Sequence, residues 1–277
     1  MRKIFEKAQF VSDHPGIFAC PVCGAELLRD ELSLVCANQH RFDLAKKGTV
    51  NFLNAPVATE YSTNMLSARR TALNAGLFDP FLDEIKPQLN AADRVLDIGC
   101  GEGTPTVKLA ESGATTIGFD ISAPAINLAG ALNSPAFFCV ADLAHLPFLA
   151  GSFTTIVDLF SPGAYAEFER VAPGGRLFKV IPNADYLKQL REGLYAGSDK
   201  ATYSNAKVMS HLQQRYPEAQ IQRVRYDFAL TPALFEAVLT MTPLSWQASV
   251  EARTQLLANP PAAITVDVSL ITVDSLG

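Results

Sequence analysis

Through the middle of the chain, short apolar runs alternate with stretches whose apolar residues recur at helical spacing. Val95–Ile98, Thr115–Phe119, Phe137–Val140, Phe153–Phe160 and Arg176–Ile181 have the length and density of buried strands, and Thr104–Ala110 and Ala164–Val171 have a helical period. Strands alternating with helices predict a parallel, doubly wound α/β sheet, with ligands gathered outside the carboxyl ends of the strands. Upstream, Leu66, Arg69, Arg70, Leu73 and Leu77 share helical spacing, with Ser62 or Thr63 as cap and Gly76 as stop, and Phe81, Ile85 and Leu89 mark a second helix. Downstream, Ala219–Leu230 and Ala262–Val273 alternate in the manner of antiparallel strands, with a helix over Pro232–Met241 between them. Met1–Gly16 is expected to be a loosely held polar arm, and residues 55–64, which include Pro56 and lack apolar periodicity, a linker. The expected domains are therefore residues 1–54, a small N-terminal domain, and residues 65–277, the α/β domain.

Composition narrows the class. Of 277 residues 48% are apolar, so the chain can bury a large core. The first residues lack the apolar centre of a signal peptide and no run reaches membrane-spanning length, so no membrane is expected and a cytoplasmic location is. Five cysteines, three within the first forty residues, do not make a disulfide framework. The net charge of −5 argues against a nucleic-acid surface spread over the whole molecule, so any basic footprint would be local. Arg41, Lys46 and Lys47, continued by Arg69 and Arg70, are the candidate cluster, and an ordinary solvated face explains their charge equally well.

The first central strand runs into Gly99-Cys100-Gly101-Glu102-Gly103 and then a helix. Glycines there admit turn conformations closed to residues with a Cβ and let a ligand lie against bare main chain. The third glycine comes one residue too early for the dinucleotide pattern, which weakens a pyrophosphate reading. Asp120, at the end of the next strand, stands where a carboxylate can accept ribose hydroxyl hydrogens. Taken alone, such a corner could be no more than close packing. The sequence VLDIGCGEG with GFDIS downstream, however, resembles motifs I and II of the class I, Rossmann-like S-adenosylmethionine-dependent methyltransferases. That resemblance implies that Gly99, Gly101, Glu102 and Gly103 face the methionine portion, that Asp97 helps hold its amino group and that Asp120, with Ile121 beside it, holds the ribose. It also implies that Asp142, with Leu143, meets the adenine.

Cys20-x2-Cys23-x12-Cys36-x3-His40 places two soft ligands in each of two turns, a spacing that a tetrahedral zinc accepts. A redox pair would want a thioredoxin-like βαβ around it, and free core cysteines do not explain two matched halves. The expectation is one structural Zn2+ held by Cys20, Cys23, Cys36 and His40. Such knuckles serve nucleic acid in some proteins and merely staple a small domain in others.

This finger, with His40–Leu53, Met65–Gly76, Leu146-Pro147-Phe148, Val171–Gly175 and Met241-Thr242-Pro243-Leu244-Ser245-Trp246, resembles the RlmA (RrmA) family of large-subunit ribosomal RNA guanine-N1 methyltransferases nearly end to end. The family implies a zinc-bearing RNA-recognition domain joined to a methyltransferase acting on a guanine in a 23S ribosomal RNA hairpin loop, and it admits a homodimer. It implies too that Phe78 reaches over the cofactor, where spacing alone assigns it to packing. Tyr186 stands where the family has a cofactor-contacting histidine, a departure that puts this contact in doubt. The fourth strand ends in Asp158-Leu159-Phe160-Ser161-Pro162 and lacks the Asn/Asp-Pro-Pro-Tyr/Phe motif of exocyclic-amine enzymes. Guanine N1 must lose a proton, and a carboxylate near the methyl is the natural acceptor. Asp142 and Asp158 are the candidates, and neither is assigned. A small-molecule methyltransferase would share the cofactor motifs without needing a knuckle. A non-catalytic RNA-binding protein would keep the knuckle but could have lost Asp97, Glu102 or Asp120, all present here.

Overall fold

The computed structural model describes every residue except Met1, Pro56, Ala58 and Glu60. Pro56, on which the linker reading leans, thus lies outside the described residues, as does Met1 of the expected arm. The chain forms two compact units: Met1–Ser62 with Leu82–Phe178 and Asp274–Gly277, and Thr63–Phe81 with Lys179–Val273.

The first unit opens with helix α1 (Lys3–Asp13), which corrects the expectation of a loose arm. Its Ala8 and Val11 are buried, the Phe10 ring stacks on Phe137 at 5.3 Å, and the Lys7 ammonium donates to the carbonyls of Ser134, Pro135 and Ala136 at 2.6–2.8 Å. The sequence looks polar because the helix buries its lysine stems with the charge capping carbonyls, which periodicity does not register. An antiparallel meander follows: β1 (Leu27–Asp30), β2 (Ser33–Cys36) and β3 (Arg41–Asp43), with Leu27 opposite Cys36 and Leu34 opposite Phe42.

Next comes β4 (Val50–Asn51), a two-residue strand that the pattern did not suggest. It pairs in parallel with β7 (Phe137–Val140), Val50 opposite Cys139. β7 pairs with β6 (Thr115–Asp120), β6 with β5 (Arg94–Ile98) and β5 with β8 (Thr155–Leu159), all parallel as expected. The apolar runs are continuous because these strands are buried on both faces: β7 and β8 contain no exposed residue. α4 (Thr104–Ala110) connects β5 to β6 and α5 (Ala123–Ala129) connects β6 to β7, while α6 (Tyr165–Val171) follows β8.

The chain enters the second unit at Thr63 and returns to it within β9 (Arg176–Pro182). This unit holds α2 (Thr63–Asn74) packed on α9 (Pro232–Met241), together with α7 (Lys188–Tyr195), α8 (Ala206–Arg215) and α10 (Val250–Ala258). β10 (Gln220–Ala229) and β11 (Ala263–Val273) form the expected antiparallel pair, in continuous register from Gln220 opposite Thr272 to Ala229 opposite Ala263. The Tyr226 hydroxyl donates to the Leu77 carbonyl at 2.6 Å and ties this ribbon to the end of the α2 segment. α3 (Asp79–Ile85) fulfils the second upstream helix.

Candidate cofactor and metal sites

β5 ends in a corner where Gly99, Gly101 and Gly103 all take positive φ, at 62°, 58° and 91°. Two of the three also meet close neighbours. A Cβ on Gly99 would lie 2.2 Å from Ser161 Oγ, and one on Gly103 would lie 2.8 Å from the Ala129 Cβ. Packing therefore requires part of the glycine pattern whether or not a ligand is bound. The acids around the corner are what packing does not require. Asp97 is buried at the end of β5, and Thr106 Oγ1 donates to it at 2.5 Å. Glu102, also buried, accepts from the backbone and hydroxyl of Thr104 at 3.1 and 2.8 Å.

Asp120, at the end of β6, accepts the Gly101 N–H on one oxygen at 3.0 Å and the Ser122 N–H on the other at 2.8 Å. A carboxylate has about four acceptor sites, the chemistry that suits it to hydroxyl hydrogens. Ile121 follows it, half-buried. Asp142 and Leu143 are half-buried beyond β7, with Asp142 accepting the Ala144 N–H at 2.9 Å, and the Ala141 N–H donates to the Asp120 carbonyl at 3.1 Å. The ends of β5, β6 and β7 thus bring together Asp97, Gly99, Gly101, Glu102, Gly103, Asp120, Ile121, Asp142 and Leu143. Carboxylate acceptors beside bare backbone fit an adenosyl cosubstrate bearing an ammonium and ribose hydroxyls.

The remaining two candidates lie in the second unit. Phe78 is buried, its ring 4.9 Å from Phe81 and the Arg69 guanidinium 5.2 Å from its centroid. Tyr186 is half-buried with its hydroxyl enclosed, and burial pushes that hydroxyl up to about 12.

Two positions carry meaning that spacing did not convey. Phe160 takes φ 69°. A bulky non-glycine residue there costs roughly 1–3 kcal/mol, and such strain collects at functional sites. Next to it, Ser161 donates its hydroxyl to the Ile98 carbonyl at 3.0 Å and its N–H to the buried Asp158 at 2.9 Å, joining the ends of β5 and β8. The only trace in the sequence is the side chain missing at Gly99.

Around the β1–β3 meander, the ligand atoms of Cys20, Cys23, Cys36 and His40 lie within 4.8 Å of one another, the only such group of three or more metal-ligating side chains among the described residues. The Cys23 and Cys36 sulfurs are 3.7 Å apart, and His40 Nδ1 is 3.4 Å from the sulfurs of both Cys20 and Cys36. A tetrahedron with ~2.3 Å sulfur and ~2.0 Å nitrogen legs has edges of about 3.8 and 3.5 Å. The four groups therefore fit zinc, with all four positions filled by protein. The turns that aim them rest on Gly24 at φ 73° and Gln39 at φ 64°, with Gly24 N–H donating to Cys20 and Gln39 N–H to Cys36. Hydrogen bonds from the Ala25 backbone and the Asn38 side chain pull the Cys23 thiol down to about 6, toward the thiolate that metal binding needs.

Comparison with known proteins agrees with this geometry. The profile described as RlmA, N-terminal, matches residues 18–62, and one described as a methyltransferase domain matches residues 95–173. YxjB of Bacillus subtilis, assigned as a 23S rRNA (guanine-N1-)-methyltransferase, is 35% identical over 92% of this chain and 96% of its own. The chain belongs to the RlmA family. A second relative, the 23S rRNA (guanine(748)-N1)-methyltransferase of Streptomyces fradiae, is 28% identical over 91% of this chain and 93% of its own. Among solved structures, a methyltransferase of Anabaena variabilis attributed to antibiotic biosynthesis superposes with TM-score 0.54 at 15% identity, covering 70% of this chain and 96% of that one. It supports the fold alone. This RlmA-family chain thus has the class I S-adenosylmethionine-dependent methyltransferase fold with an N-terminal zinc ribbon.

The family setting changes how the basic cluster reads. Arg41 is paired with Asp30, and the Lys47 ammonium donates to the carbonyl and side-chain oxygens of Asn127, both at 2.9 Å. Of the three, Lys46 alone is exposed with no partner among the described residues. No described helix is long and apolar enough to cross a membrane.

Proposed function

We propose that this enzyme transfers the methyl group of S-adenosylmethionine to N1 of a guanine in a hairpin loop of 23S ribosomal RNA. The observation that carries this reading is the joining, in one compact unit, of the β5–β6–β7 carboxylate corner and the RlmA-type ribbon. When bound, the cosubstrate supplies an electrophilic methyl on a sulfonium. The protein's own task is then alignment, because direct displacement needs nucleophile, carbon and sulfur in line, and positioning supplies much of the acceleration.

In this reading Asp97 takes the amino group, Asp120 the ribose hydroxyls and Asp142 the adenine amine, with Gly99, Gly101, Glu102 and Gly103 lining the methionine portion and Ile121 and Leu143 flanking. Phe78 and Tyr186 complete the set on the family's pattern. Residues 1–54 serve RNA recognition, 55–64 link and 65–277 carry the chemistry. The zinc stays structural, since four protein ligands leave no open position for substrate. A hairpin loop suits the chemistry because its bases are unstacked or cheaply flipped. The family admits a homodimer, and the work is done in the cytoplasm, where the RNA substrate is made.

The test is mass mapping of 23S rRNA from cells with and without the gene. Loss of a single N1-methylguanosine in a hairpin loop on deletion is expected, and an unchanged methylation map overturns the reading. Calorimetry tests the site assignment. Asp120→Ala should weaken S-adenosylmethionine binding by about one to two orders of magnitude, in line with ~1.5–3 kcal/mol for hydrogen bonds to a charged group, and unaltered affinity removes the ribose role.

A further inference from the structure

The second unit carries a strip of alternating cations and aromatic rings outside the residues used above. Arg191, in the middle of α7, is only 7% exposed. Its Nη2 donates to the Tyr186 carbonyl at a long 3.4 Å, its Nε has no acceptor, and no carboxylate of the described residues pairs with it. A buried guanidinium without a counter-ion is costly. Here its charge rests over the Tyr203 ring, 5.2 Å from the centroid, and burial holds it below its ordinary value. Nε–H and one Nη2–H lie on the same edge of the guanidinium, the edge that takes two oxygens side by side. On that edge Nε–H is unfilled and Nη2 makes only the long bond to the Tyr186 carbonyl.

Tyr195 lies one turn along the same face of α7. The Lys200 ammonium sits 5.7 Å from its ring centre and is steadied by the Gln247 side chain at 2.7 Å, and the Tyr195 hydroxyl is fixed to the Leu244 carbonyl at 2.5 Å. Trp246, two residues on, is 37% exposed. Cations interleaved with half-exposed aromatic rings are how proteins hold unpaired nucleotides, with phosphates on the cations and bases on the rings.

We propose that the strip Tyr203–Arg191–Tyr195–Lys200 binds an unpaired segment of the RNA substrate, with the Nε/Nη2 edge of Arg191 receiving a backbone phosphate. This rests on the reading that the substrate is RNA. The same edge would also accept a carboxylate, such as that of the cosubstrate, and the experiment separates the two sources.

Full-length wild type and Arg191→Gln, Arg191→Lys, Tyr203→Ala and Lys200→Gln are titrated with unmodified 23S rRNA transcript, with a short uridine oligonucleotide at several salt concentrations, and with S-adenosylmethionine. Arg191→Gln should weaken both RNAs about tenfold or more and lower the salt slope by about one. Arg191→Lys should restore the slope but not the full affinity. Tyr203→Ala, at a half-buried ring, and Lys200→Gln, at an exposed side chain, should each weaken RNA severalfold, raising the KM for RNA. S-adenosylmethionine affinity should hold throughout. RNA affinity and slope unchanged in the Tyr203 and Lys200 variants overturn the proposal, even if Arg191→Gln fails to fold. Loss of cosubstrate affinity in Arg191→Gln with RNA binding intact also overturns it, assigning the edge to the cosubstrate carboxylate. If wild type binds RNA through the strip yet methylates no 23S rRNA guanine, the proposed function fails and the strip stands.

Discussion

Val50 pairs in parallel with Cys139, so the chain leaving the zinc ribbon becomes a strand beside β7. The pairing continues through Asn51 opposite Val140 and the Phe52 N–H donating to the Val140 carbonyl at 2.9 Å, and two residues beyond Val140 stands Asp142. Ribbon and cofactor corner are therefore mechanically joined, and metal loss should be felt at both.

Protein purified without added zinc is expected to hold one zinc per chain. Cys20→Ser with Cys23→Ser should abolish it, because structural zinc contributes its binding free energy to folding. The melting temperature should fall by several degrees for the whole unit and S-adenosylmethionine affinity by a few fold. Metal analysis, calorimetry and titration check this. Zinc retained in the double variant would sink the ligand assignment, and an unchanged melting temperature would sink the coupling.

Gly99→Ala should be among the most damaging small changes, since a Cβ there meets Ser161 Oγ at 2.2 Å and φ is 62°. Ser161→Ala removes the 2.2 Å clash, leaving a tight 3.3 Å approach to the Cβ at 161, but not the conformational cost, roughly 1–2 kcal/mol for a left-handed non-glycine residue. The double variant should therefore recover part of the stability lost by Gly99→Ala. Thermal unfolding of the two single variants and the double variant decides it, and strict additivity would show that the contact is immaterial.

Replacing Arg41, Lys46 and Lys47 together by glutamine should lower the salt slope of RNA binding by about one, the share of a single phosphate contact. Arg41 is engaged by Asp30 and Lys47 by Asn127, which leaves Lys46 as the available cation. A slope lowered by about three would show that all three reach phosphates. No change would make the cluster an ordinary solvated face.

Asp267 lies in β11 with its side chain 1% exposed. Burial pushes its carboxyl up, but Arg223 donates to both its oxygens at 2.7–2.8 Å and Asn183 to one at 3.0 Å, and the net effect holds it below the usual carboxylate range. The folded state then binds this proton less readily than the unfolded chain does. Its stabilisation is present above the unfolded carboxylate value, near 3.9, and is lost as pH falls through the lower folded value. Asp267→Asn should lower stability at neutral pH and flatten the acid limb, read by denaturant titration from neutral to pH 3. An acid limb as steep as wild type would place the titration elsewhere.

Much of this was legible from residues alone, because it depended on local spacing. Four soft ligands in two turns, three glycines between a strand and a helix, and an acid at the next strand end each describe a constraint that neighbours along the chain impose. Continuous apolar runs announced strands buried on both faces, and alternation announced the β10–β11 pair. What only the tertiary structure decided depended on partners far away in sequence. Lys3–Asp13 reads as polar until the carbonyls of Ser134, Pro135 and Ala136 are seen to receive Lys7. Val50–Asn51 is too short to carry a period, and its pairing with β7 is a contact across nearly ninety residues. Basic residues look alike in a sequence, and their availability is set by whether Asp30 or Asn127 stands opposite. The buried, unpartnered Nε of Arg191 is a property of what surrounds it, which no spacing rule can register.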